Sequence, residues 1–319
     1  MVGIIIPCYH SRETLPKALD SLVAQTKKYF MTIIVPDGDG EDYSDIIEEY
    51  SNRGLDIHCL PQKENKGPGA ARQAGIDAAR MCKYLIFLDS DDMLMPQAVA
   101  QLTREIQRKD LDIVAGQIIA EFTDMEQIIS LQDGVCWVHG KIYKRDYLVN
   151  NNIRFIDEVK FNEDSYFNLV AHNCSEKIAR IEFPTALWRN NTASVTRDNS
   201  VENYYLRTGG EYIKGQCLAL KKIEEIMGIV PYDIFAFTLV NCYMASATAN
   251  DNGKDESAYI SYLKGLKNLK SYENSIKNKN FKNAIIHKTK VGAGLSSDEI
   301  TLFSESFYHW FKRIFTDTL

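Results

Sequence analysis

Three carboxylates fall within four residues at Asp89-Ser90-Asp91-Asp92, directly after the apolar run 84–88. Like charges this close repel, and a shared cation relieves the repulsion. An Asp-x-Asp at a strand end holds Mg²⁺ or Mn²⁺ through one or two oxygens and leaves positions for phosphate oxygens and water. The competing reading is a solvated turn whose Asp caps the helix starting near Pro96. A second segment, Asn65-Lys66-Gly67-Pro68-Gly69-Ala70-Ala71-Arg72, is glycine-rich and opens a helix. Free N–H groups and the helix dipole favour an anion there, and Arg72 adds a two-pronged donor. The spacing fits neither the dinucleotide fingerprint nor the P-loop. A tight turn before a small-residue helix is the alternative, and it leaves Arg72 unexplained. Tyr9 offers a face on which a base could stack, and Asp37 an acceptor for base or ribose. Glu163-Asp164 begins a helix-like run, where the dipole alone favours acids; a carboxylate so placed also suits a general base.

Short apolar segments at 2–6, 32–36, 56–60 and 84–89 carry these groups at their ends and read as strands. Helix-period segments at 13–25, 43–50 and 68–81 lie between them, the last opened by a proline. Such alternation predicts an α/β fold with a mostly parallel sheet, helices on both faces, and ligands beyond the carboxyl ends of the strands. Further strands are expected near 112–122 and 179–182, and a helix near 164–172. After residue 199 long helical stretches rich in Tyr, Lys and Asn take over. We therefore expect one α/β domain over 1–199, with the nucleotide-diphosphate pocket in 1–110 and a second part in 111–199. A mostly helical region over 200–319 follows.

The 319 residues are 45% hydrophobic and 25% charged, ordinary material for a substantial core. A net charge of -6 argues against broad nucleic-acid binding. Seven scattered cysteines, none as C-x-x-C, suit free thiols in a reducing compartment. No apolar run reaches membrane-spanning length, and the first is too short for a signal peptide. The expected location is the cytoplasm, including the inner membrane surface.

Taken in order, these segments resemble the inverting GT-A glycosyltransferases of glycosyltransferase family 2 over residues 2–197. The resemblance rests on Ile4-Ile5-Ile6-Pro7-x-Tyr9, Asp37-Gly38, Asn65-x-Gly67-x-x-x-Ala71-Arg72-x-x-Gly75, Asp89-Ser90-Asp91-Asp92, Gly140-Lys141-Ile142-Tyr143, Glu163-Asp164, and Trp188-Arg189 through Ser194. It implies a metal-dependent transfer of sugar from a UDP-linked donor to a hydroxyl of a carbohydrate, lipid-linked or protein acceptor. Polysaccharide, teichoic-acid or protein glycosylation would be the setting. Tyr9 and Asp37 would hold the uracil, Arg72 the base or diphosphate, and Asp89 the ribose. Pro7, Asn65, Gly69 and Ser90 would complete the donor side. Asp91, with Asp89, would hold Mn²⁺ or Mg²⁺, and Asp164 would be the catalytic base. His139, Glu163, Trp188, Arg189 and Ser194 would form the acceptor side or a covering segment. Pro36 and His10 depart from the Asp and Asn common in relatives. The chain has no Gln-x-x-Arg-Trp motif, which argues against a processive synthase. A sugar nucleotidyltransferase would carry a Gly-rich, basic loop after the first strand, where this chain has Pro7-Cys8-Tyr9-His10. A non-catalytic subunit would not need Asp89, Asp91 and Asp164.

In the last segment Ile300, Phe303, Phe307, Trp310, Phe311 and Ile314 recur at helical spacings. Such a stripe must be covered. The catalytic domain is the expected cover. A homo-oligomer contact and a peripheral membrane face are the alternatives, the latter opposed by Asp298, Glu299, Glu305 and Asp317.

Overall fold

The computed structural model describes residues 1–121, 129–131, 137–189, 201–250, 257–293 and 296–315. Internal contacts divide the chain into two units, Met1–Arg197 and Asp198–Leu319.

The first unit opens with β1 (Val2–Cys8), α1 (Leu15–Val23), β2 (Phe30–Pro36), α2 (Ser44–Asn52) and β3 (Ile57–Cys59). Next come α3 (Pro68–Ala78), β4 (Tyr84–Phe87), β5 (Met93–Leu94) and α4 (Ala98–Arg108). It continues with β6 (Ile113–Ala120), β7 (Ile129–Leu131), β8 (Lys141–Lys144), α5 (Arg145–Asn150), α6 (Glu163–Asn173) and β9 (Ile178–Trp188). The strands form one sheet in the order β3-β2-β1-β4-β8-β6-β9-β5, with β7 beside β6.

The four early strands run parallel, as their alternation with helices requires. The other half departs from the expected mostly parallel sheet. There β8 runs antiparallel to both β4 and β6, and β5 runs antiparallel to β9. β8 takes up the place beside β4 where a parallel strand would otherwise extend the first half. The sheet is therefore mixed.

Side chains of β1 alternate between two packed faces. Ile4 and Ile6 join a core with Leu15, Leu19, Leu102 and Ile106, from α1 and α4. Ile5 points the other way, where α3 packs so closely that a Cβ on Gly75 would lie 2.4 Å from Ile5 Cγ2. Burying both faces drives the strand ends, where the polar residues sit, to one edge of the sheet.

The second unit consists of α7 (Val201–Met227), α8 (Tyr232–Asn250), α9 (Ser257–Gly265), α10 (Lys270–Ile276), α11 (Phe281–Ala293) and α12 (Ser297–Phe315). The aromatic stripe on α12 is covered from within this unit, which corrects the expected cover. Tyr243 of α8 meets Phe303, Phe307 and Trp310 at ring separations of 5.1, 5.6 and 5.5 Å, and Tyr272 of α10 meets Phe315. Phe307, Trp310, Phe311 and Ile314 are buried. Among the described residues no helix is long and apolar enough to cross a membrane.

Candidate active site

The parallel strands β1, β2 and β4 end side by side, and each end is fastened by polar contacts. Asp37, just beyond β2, is buried, and its two oxygens accept from the backbone N–H of Lys66 (3.1 Å) and Gly67 (2.7 Å). Burial pushes its carboxyl up, against the pull of those two N–H donors. Gly38 follows at φ +68, pressed so tightly on the backbone of Glu64 that a Cβ would lie 2.2 Å away. Asp37 thus braces the glycine-rich loop. Asn65 assists, its Oδ1 accepting from Gly67 N at 3.0 Å. Tyr9, beyond β1, is 50% exposed, with its ring edge-on to His10 at 4.4 Å. Pro7 is buried within β1. Ser90 and Ser11 share a 2.7 Å hydrogen bond that ties the ends of β4 and β1 together.

Arg72, on α3, is the hinge of the site. One terminal nitrogen donates to Asp89 Oδ1 and the other to Glu163 Oε1, each at 2.6 Å. Its guanidinium also stands over the Phe155 ring, 5.8 Å from the centroid. Phe155 stacks on Phe167 of α6 at 4.2 Å, and its N–H donates to Gln73 Oε1. Gly69 permits this approach, since a Cβ there would lie 2.9 Å from Glu163 Cγ. The glycine-rich helix and the Glu163-Asp164 helix are therefore locked together. Arg72 lies behind the acids rather than open to solvent, and its Nε, buried, has no hydrogen-bond partner.

The two acids on either side of this lock have opposite character. Burial raises Asp89, but the charges of Arg72 and His139 and the Arg72 hydrogen bond outweigh it and hold the carboxyl below its usual range. Asp164 is pushed up to about 7 by burial and by the neighbouring Glu163 charge, with Arg72 and the Ser165 N–H only partly opposing. Asn162 turns through φ +57 before α6, and Ser165 N donates to Asp164 Oδ1 at 2.8 Å.

Asp89, Asp92 and His139 offer ligand atoms within 4.8 Å of one another, a donor set suited to a divalent cation. Asp91, half-buried on the same turn, is not in that group. His139, expected on the acceptor side, stands between two carboxylates, and burial lowers its ring pKa. Asp92 Oδ1 accepts from Arg189 N at 2.9 Å, fixing the end of β9. Trp188 packs beside Trp137, rings 5.8 Å apart, and fully buried Lys141 donates to the Trp137 carbonyl. Ser194 lies outside the described residues. His10, Asp39 and Glu41 form a second, more exposed cluster beyond β1 and β2. Sequence spacing had offered no route to the grouping of Asp92 with His139, which the fold brings together from 47 positions apart.

Residues 3–160 match the family model of Glycosyl transferase family 2. The glycosyltransferase EpsJ of Bacillus subtilis, itself uncharacterized, is 28% identical over 61% of this chain and 63% of its own length. A poly(ribitol-phosphate) beta-glucosyltransferase of Bacillus spizizenii is also 28% identical, over 56% of this chain and 30% of its own. The chain thus spans less than two thirds of these relatives. Among solved structures, TarS of S. aureus superimposes with a TM-score of 0.67 at 18% identity, covering 96% of this chain and 55% of TarS. A mannosyltransferase of Pyrobaculum calidifontis, in complex with GDP-Man and Mn²⁺, gives 0.56 at 11%, covering 99% and 87%. At such identities the likeness carries the fold, which is GT-A with a helical C-terminal region. With the strand-end acids, the braced glycine-rich loop and the family match in agreement, residues 3–160 of this chain resemble glycosyltransferase family 2.

Proposed function

We propose that this chain transfers a glycosyl group from a UDP-linked donor to a hydroxyl of a cell-surface polymer, with inversion at the anomeric carbon. The observation that carries this reading is the lock through Arg72. It joins a carboxylate kept ionised, Asp89, to a helix that presents a carboxyl poised near neutrality, Asp164. Pairs of acids with pKa values pushed apart mark a division between binding and proton transfer. A solved TarS complex contains UDP-GlcNAc, and TarS is named for poly(ribitol phosphate), which supports the choice of donor and of a polyol or polysaccharide acceptor.

In this reading Tyr9 stacks on the base. Asp37 and Asn65 hold the loop whose N–H groups face the diphosphate. Gly69, in the first turn of α3, and Pro7, near the end of β1, belong to the donor side, and Ser90 sets the turn that aims Asp89 at the ribose. Asp89 and Asp91 would hold a divalent cation, and the cluster of Asp89, Asp92 and His139 fits Mn²⁺ or Mg²⁺. When bound, that ion offsets charge building on the departing diphosphate. Asp164 accepts the proton of the acceptor hydroxyl as the acceptor oxygen bonds to the anomeric carbon. The bond to the β-phosphate oxygen breaks, and its electron pair leaves with UDP. Trp188 and Arg189 cover the donor, and Glu163 keeps Asp164 in place through Arg72.

The test is a panel of nucleotide sugars with Mn²⁺, scored by slow release of nucleoside diphosphate in the absence of acceptor. UDP release from one UDP-sugar well above the rest is expected. No release from any sugar nucleotide would overturn the reading.

A further inference from the structure

The two ring nitrogens of His139 face different carboxylates. Nδ1 lies 3.3 Å from Asp92 Oδ2, and Nε2 lies 3.7 Å from Asp89 Oδ2. Asp92 is held rigidly: its side chain is 3% exposed, and Oδ1 already accepts from Arg189 N. An ionised carboxylate only accepts, so Asp92 favours the proton on Nδ1 and leaves the lone pair on Nε2. Nε2 faces Asp89 Oδ2, the oxygen not taken by Arg72. Two acceptors this close require positive charge between them, as a second ring proton or a shared cation. Ligand atoms about 2.1 Å from one ion stand about 3–3.5 Å apart in adjacent positions, only slightly closer than this pair. A carboxylate on one ring nitrogen, with the other nitrogen directed at a cation, is the usual arrangement of a metal-bound histidine.

We propose that His139 Nε2 and Asp89 Oδ2 together ligate the donor-site cation, and that Asp92 is the carboxylate that orients the imidazole. The proposal rests on reading this site as one that binds a nucleoside diphosphate with a divalent ion. It moves His139 from the acceptor side to the donor side and gives Asp92 a purpose distinct from that of Asp91. It also narrows the cofactor: an imidazole ligand favours Mn²⁺ or Co²⁺ over Mg²⁺, which prefers oxygen.

Pulsed EPR of Mn²⁺ bound to the full chain with UDP, in protein carrying ¹⁵N-labelled histidine, reads the ligand directly. Coupling to an imidazole nitrogen is expected alongside phosphorus coupling. It should vanish in His139→Ala and persist in His10→Ala, which removes the histidine of the other acidic cluster. Asp92→Asn should keep the nitrogen coupling while weakening Mn²⁺ about 10-fold or more, the scale of losing an orienting carboxylate. A wild-type spectrum with phosphorus but no nitrogen coupling overturns the proposal, as does coupling lost in His10→Ala and retained in His139→Ala. So does the absence of any bound Mn²⁺. Mn²⁺-dependent UDP release without nitrogen coupling would sink this assignment and leave the transferase reading standing. Nitrogen coupling with no sugar nucleotide turned over would do the reverse.

Discussion

Asp89 at the end of β4 and Asp164 at the start of α6 are the same residue type, and both touch the sphere of Arg72, yet their surroundings drive them apart. Arg72 bonds Asp89 directly and His139 lies beside it, so its charge survives burial. Asp164 has an anionic neighbour in Glu163, whose charge Arg72 meets first, and its carboxyl rises to about 7. One guanidinium thus stabilises a permanent anion on one side and leaves a proton-exchanging group on the other. A binding carboxylate needs a cation at contact distance, whereas a base near neutral pH needs one kept a residue away.

The largest expected effect comes from removing the exchanging side. Asp164→Asn should lower kcat by about 10²-fold or more, the scale of a lost general base, while UDP affinity measured calorimetrically stays put. Collapse of affinity with kcat preserved would make Asp164 a donor ligand and erase the contrast. Next in size is the shared hinge. Arg72→Met leaves Asp89 and Glu163 without their cation, and breaking a buried pair from one side costs about 3 kcal/mol or more. Denaturant unfolding should show that loss, and UDP affinity and kcat should fall together because both acids are released. A change confined to either parameter would mean that Arg72 serves one acid only.

A gentler effect follows from linkage. A carboxyl raised in the folded state holds its proton between its unfolded value, about 3.9, and about 7. Over that window the native chain binds more protons than the unfolded chain, so Asp164 makes stability decline as pH rises. Above about 7 the penalty is constant. Urea midpoints across pH 4.5–7.5 should fall less steeply in Asp164→Asn than in wild type; equal slopes would show that Asp164 is not raised. Smallest is Gly69→Ala, whose Cβ would meet Glu163 Cγ at 2.9 Å. A shift of a few tenths of an ångström in Glu163 should lower kcat about threefold with little change in UDP affinity. An undisturbed kcat would show that Glu163 does not set the position of Asp164.

The parallel half of the sheet was readable because its signals are local. Residues 2–6, 32–36 and 84–89 are apolar runs with polar stops, and they became β1, β2 and β4 with boundaries shifted by a few residues. The helix expected at 68–81 became Pro68–Ala78 for the same reason, proline at its start and small residues along its sheet face. In the mixed half the strands expected near 112–122 and 179–182 became β6 and β9, but β5 and β8 were not legible. β5 has two residues and β8 four, too few for a period to emerge, and their direction depends on neighbours far away in sequence. Individual site residues could be picked out by type, but their pairings could not. Arg72 and Glu163 stand 91 positions apart, and nothing in their spacing indicates that they meet. The α12 stripe was legible as something to be covered, and Tyr243 and Tyr272 as its cover were not.

The most direct test of this division of labour is the pH dependence of kcat/KM for the UDP-sugar, which reports the free enzyme, for wild type and Asp164→Asn. Wild-type kcat/KM should rise about tenfold per unit as pH climbs toward about 7 and then level, as the base loses its proton. The Asp164→Asn profile should be low and flat through the same range. An acid limb of equal steepness in the variant would contradict the account, because another group would then be carrying the proton.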